Sequence, residues 1–114
     1  MASARAMLER RRSSRVPIRI PVKVLAAETQ GDVHDAPAEA LSVSRYGALL
    51  RVPFLPAMGS RIEVQNGVSQ EVREFRVISL RSPKEHAPFD LGVEIFYPTR
   101  NFWGVQFPDE RYPA

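Results

Sequence analysis

Fourteen of the sixteen basic side chains in this 114-residue chain are arginine, and they crowd toward one end. Residues 5–23 hold Arg5, Arg10, Arg11, Arg12, Arg15, Arg19 and Lys23 against the single acid Glu9, a net charge of +6. The remainder carries nine basic and twelve acidic residues, a net of −3, so the positive charge is an arm rather than a coat. A guanidinium is a planar fork of donors, suited to bidentate contact with phosphate or with a guanine edge, where lysine acts as a point charge. Arg11-x-x-x-Arg15 sets two such groups four residues apart, directly ahead of a patterned strand. A second cluster, Ser42-Val43-Ser44-Arg45-Tyr46-Gly47, gathers two hydroxyls and another guanidinium beside a glycine, which lets backbone approach a ligand without a Cβ. Taken singly, either spacing arises by chance in a chain this rich in arginine, and an ordinary turn or a solvated basic tail explains each equally well.

Chemistry of other kinds has little to work with. There are no cysteines, which removes disulfides and thiolate sites and fits a reducing cytosol. Neither a phosphate loop nor a nucleophile elbow is present. His34 and His86 fall in segments that read as loops; His34, Asp35 and Glu39 lie close enough in sequence to ligate a metal, but no helical or cross-strand spacing backs them. Phe102 and Trp103 read as core, and Asp109-Glu110 as solvated charge. These observations predict a binding module with no enzymatic activity, no metal and no cofactor.

The elements that must hold the two arginine- and serine-bearing clusters are short and extended. Val16, Ile18, Ile20, Val22 and Val24 alternate with Arg15, Pro17, Arg19, Pro21 and Lys23, the period of a half-buried strand. Pro17 and Pro21 cannot donate to a ladder and point to an edge or a closure seam. Residues 26–37, with Gly31, Asp32, Asp35 and Pro37, read as a loop. Strands are expected at 39–43, 48–52, 61–65, 70–81 and 91–96, with Gly47 supplying a positive φ in the reversal after the second. The apolar phase switches within 70–81, from Phe75 and Val77 to Ile78 and Leu80, which predicts a bulge or a barrel corner. Six short strands, with Gly and Pro between them and no long amphipathic helix, indicate a small barrel or sandwich. The aromatics of 99–108 are expected to close one end, after a Thr-capped turn.

At 44% hydrophobic and 25% charged the chain has globular composition. Its mean hydropathy of −0.25 and lack of a long apolar run exclude a spanning helix, so no membrane insertion is expected. The first fourteen residues lack the apolar stretch of a secretory signal; their Arg-rich, acid-poor character also fits an organellar transit peptide, against which stands their unbroken run into the first strand. A cytoplasmic location is expected. Residues 2–12 are good helix formers but too few for a stable isolated helix, and predict a frayed arm.

The combination of the two clusters resembles the PilZ domain, the bacterial receptor module for cyclic di-GMP. Arg11 and Arg15 match its RxxxR motif before the first strand. Ser44 and Gly47 match its [D/N]xSxxG motif after the second, continued by Ala48-Leu49-Leu50, and Leu91-Gly92-Val93-Glu94-Ile95 is similar to its late Gly-containing strand. The likeness covers about residues 10–97. It implies a six-stranded antiparallel β-barrel over this span, preceded by a mobile basic N-terminal arm; residues 1–9 are expected to be flexible or marginally helical, and 98–114 a short tail packed on the barrel. It also implies a cyclic di-GMP site formed by Arg11, Arg15, Ser42, Ser44 and Gly47, with Arg10 and Arg45 beside them, relaying a signal to a protein partner. Ser42 stands where the family carries Asp or Asn; a shorter reach and a single hydroxyl replace a good acceptor for guanine N–H, a loss of about ten- to a hundred-fold in affinity. Two other readings stay open: a PilZ-like barrel that recognises a protein without the ligand, and a small barrel whose basic arm holds nucleic acid. The last lacks an aromatic stacking platform, since Tyr46, Phe54 and Phe75 are not interleaved as one.

Overall fold

The computed structural model describes residues 15–27, 31–80, 87–98 and 101–107. Six strands run in the order β1 (Ile20–Ala27), β2 (Val33–Val43), β3 (Gly47–Val52), β4 (Arg61–Asn66), β5 (Val72–Leu80) and β6 (Phe89–Ile95). They close into a barrel in the spatial order β1-β2-β3-β6-β5-β4, with every neighbouring pair antiparallel. Of the barrel and the sandwich that strand spacing left open, the chain forms the small six-stranded barrel. No helix among the described residues is long and apolar enough to cross a membrane.

Alternation fills the barrel. Ile20, Val22, Val24 and Ala26 of β1 point inward, as do Ile62 and Val64 of β4, Phe75 and Val77 of β5, and Leu91, Val93 and Ile95 of β6. Pro21 sits at the seam where β1 meets β4: the ladder between them begins at Val22↔Asn66, and the Pro21 carbonyl accepts from Gly67 N–H at 2.7 Å.

Two boundaries differ from the sequence reading. The first strand does not run from residue 15. Ile18 N–H donates to the Val16 carbonyl at 2.9 Å, a tight turn centred on Pro17, and Ile18 is left 38% exposed. Regular pairing starts at Ile20. The expected 26–37 loop is also much shorter, because β1 and β2 stay paired to Ala27↔Val33. The polar residues that suggested a loop, Asp35 and Pro37, occupy the outward positions of a strand whose inner face carries His34, Ala36 and Ala38.

The phase switch in 70–81 is a bulge: the β5–β6 register slips between Val77 and Ser79, leaving Ile78 as the extra residue. A second bulge, in β2 between Ala40 and Ser42, leaves Leu41 extra against β3. The barrel end is closed by the tail. Phe102, Trp103 and Phe107 are buried, and Phe75 meets the Phe102 and Trp103 rings at centroid distances of 5.5 and 5.9 Å. Thr99, the proposed cap of this segment, lies outside the described residues.

Candidate ligand-binding site

The β2 bulge decides which way the candidate serines face. Before it, even-numbered residues point inward, ending with the fully buried Ala40; in an unbroken strand Ser42 and Ser44 would follow into the core. The extra Leu41 shifts the phase, Val43 takes the interior place, and Ser42 moves to a half-buried outer position. Ser42, Leu49, Gly92 and Ser79 then lie in one lateral row across β2, β3, β6 and β5.

The turn itself is tightly tied. Ser44 N–H donates to the Gly47 carbonyl at 2.9 Å, and Gly47 N–H donates back to Ser44 Oγ at 3.1 Å. The Tyr46 carbonyl accepts from Ile95 N–H at 2.8 Å, which fixes the turn against the end of β6. Gly47 does not supply a positive φ; the glycines that do are Gly31, Gly59 and Gly104. Glycine is needed at 47 for a different reason: a Cβ there would run into the backbone carbonyl of Val93. Arg45 lies over the neighbouring Tyr46 ring, 5.9 Å from its centroid.

Arg15 reaches this turn through the backbone. Val16 and Val43 form an isolated antiparallel bridge, with Val16 N–H to Val43 O at 2.7 Å and Val43 N–H to Val16 O at 3.0 Å. In that register the residue before Val16 stands opposite the residue after Val43, so Arg15 faces Ser44. Arg15 is exposed and makes no ion pair among the described residues, whereas Arg19 is matched to Glu39 at 2.9 Å and Arg51 to Asp90 at 2.9 and 3.1 Å. That last contact, first as a hydrogen bond and then as charge attraction, holds the Arg51 guanidinium above its ordinary pKa. Arg10 and Arg11 lie outside the described residues.

The possible metal ligands do not converge. His34 is on the inner face of β2, stacked on Phe54 at 4.9 Å, while Asp35 and Glu39 face outward toward Lys23 and Arg19. Among the described residues no group of three or more His, Asp or Glu is placed to hold a metal. His86 lies outside them.

Three residues near the turn escaped the sequence reading. Glu94 pairs in register with Gly47, Arg76 with Glu94, and Arg61 with Arg76, so one outer row runs from the turn to β4. Above it the Phe96 ring is flanked by the guanidiniums of Arg76 at 4.8 Å and Arg61 at 4.5 Å. The β3–β6 ladder, between strands far apart in sequence, is what brings this row to the turn. No protein-family model matches the chain, and no curated protein shows significant similarity to it.

Proposed function

We propose that this chain is a PilZ-like receptor module that binds cyclic di-GMP between its basic N-terminal approach and the 42–47 turn, and passes the signal to a protein partner in a bacterial cytoplasm. The observation carrying this reading is the Val16–Val43 bridge, which stands Arg15 opposite Ser44 without a carboxylate partner among the described residues. A guanidinium with no carboxylate partner among the described residues, beside a hydroxyl-bearing turn, suits a ligand that offers both phosphodiesters and purine rings. Arg15 grips phosphate or the guanine O6/N7 edge, Arg11 and Arg10 add further donors from the same approach, and Arg45 and the Ser42 and Ser44 hydroxyls border the ligand from the turn. The closed β-barrel is compatible with the fold that the resemblance implies.

Calorimetry with cyclic di-GMP, GTP and a short oligonucleotide tests the reading. Selective binding of the cyclic dinucleotide, lost in Arg11→Ala and Arg15→Ala, is expected, together with slower hydrogen exchange across residues 8–15 when ligand is added. Binding to the oligonucleotide alone, falling steeply with salt, would replace the reading with a nucleic-acid module. Ser42 favours one further alternative, a barrel of this kind that meets a protein without any nucleotide; silence in all three titrations is its signature.

A further inference from the structure

Guanine differs from adenine most sharply at its Watson–Crick edge, where N1–H and the N2 amino group are adjacent donors and call for an acceptor. The side chains gathered at the turn offer mostly the opposite. Arg15 and Arg45 carry only donors, and Ser44 Oγ already accepts from Gly47 N–H at 3.1 Å. Ser42 has a single hydroxyl.

A carboxylate stands one strand away. Glu94 is in register with Gly47, about 4.8 Å across the sheet. Its chain neighbours Val93 and Ile95 are buried inside the barrel, which turns Glu94 outward, and it is exposed. On its other side it faces Arg76, and opposite charges in such cross-strand positions ordinarily attract each other. Here the Arg76 guanidinium lies instead over the Phe96 ring at 4.8 Å, and Glu94 makes no ion pair among the described residues. Three other outer-face carboxylates are occupied, Glu39 by Arg19, Glu74 by Arg61 and Asp90 by Arg51, while Glu63 of β4, also without an ion pair among the described residues, lies three strands away from β3.

We propose that Glu94 is the acceptor for a guanine Watson–Crick edge and makes this site select guanine over adenine dinucleotides. The inference rests on the cyclic di-GMP reading above and names a residue that neither arginine nor serine spacing points to. Two carboxylate oxygens side by side match the N1–H and N2–H pair of guanine; adenine presents an acceptor at N1 and is repelled by the same group. Arg76 and Phe96 act as positioning residues, because a cation held over the ring is a cation kept off the carboxylate.

The test is calorimetry on the full chain with cyclic di-GMP and cyclic di-AMP, comparing wild type, Glu94→Gln, Glu94→Ala and Arg15→Ala. Wild type is expected to prefer cyclic di-GMP. Both Glu94 variants should weaken that ligand by about ten- to a hundred-fold, leave cyclic di-AMP as tight as before or tighter because its N1 no longer meets a carboxylate, and keep the wild-type melting temperature. Glu94 variants that retain affinity and preference, beside an Arg15→Ala that has lost both, would overturn the role of Glu94 and leave the receptor reading intact. An equal loss for both ligands also overturns it as a selector. A wild-type chain that ignores cyclic di-GMP removes both readings together.

Discussion

Val16 and Val43 exchange both of their backbone hydrogen bonds, at 2.7 and 3.0 Å, although Val16 belongs to no strand. Pro17 isolates this bridge from β1: the turn it centres ends one pairing before the next begins at Ile20. The consequence is local control. A two-bond clasp holds Arg15 against the turn, beside a barrel built from six full ladders.

Replacing Val16 by Pro removes the shorter of the two bonds while keeping an apolar side chain. Stability should fall by about 1 kcal/mol, the usual net worth of one such bond, whereas cyclic di-GMP affinity should fall at least about tenfold because Arg15 is no longer held opposite Ser44. Thermal unfolding and calorimetry on the same preparation separate the two effects. Unchanged affinity would mean that the clasp does not serve the site.

Gly47 and Gly92 should respond very differently to alanine. At 47 the new methyl meets the Val93 carbonyl, backbone of a central ladder that cannot step aside, and a loss of at least about 3 kcal/mol or failure to fold is expected. At 92 the obstacle is the Ser79 hydroxyl, the end of a side chain that can change rotamer, so the cost should be about 1 kcal/mol. Urea denaturation ranks the two. Equal losses would argue against this account of why residue 47 is glycine.

The sequence carries the barrel well because its inward residues are strong signals: alternating Val, Ile and Leu in β1, β3, β4 and β6 announce their faces. Where the inner face is made of His34, Ala36 and Ala38, hydrophobic alternation fades, and β2 reads as loop until residue 39. The bulge at Ile78 left a trace because bulky residues flank it, while that at Leu41 left none, since serines on either face look alike in a sequence. Arg15, Ser44 and Gly47 could be singled out by type and spacing. Glu94 and Arg76 could not: their relation to the turn comes through the β3–β6 ladder, which pairs strands far apart along the chain.

Asn66 ties the barrel to its plug. It is 2% exposed, its Oδ1 accepts from Val68 N–H at 2.8 Å and Ser69 N–H at 3.2 Å, and its Nδ2 donates to the Phe102 carbonyl at 2.8 Å. Asn66→Ala strands these buried groups and should cost about 2–4 kcal/mol, with Trp103 emission shifting to the red as the tail loosens. Asn66→Asp makes a finer distinction. The new carboxyl can still accept from the hairpin, but when ionised it opposes the Phe102 carbonyl, and burial raises its pKa in the folded state. A raised folded pKa gives stability that is present at low pH and is lost as pH climbs through that value. The deficit of Asn66→Asp relative to wild type should therefore be large at neutral pH and shrink toward about pH 4, where the protonated carboxyl donates as the amide did. Urea midpoints at the two pH values decide it: a deficit independent of pH would show that donation to Phe102 is not what holds the aromatic tail in place.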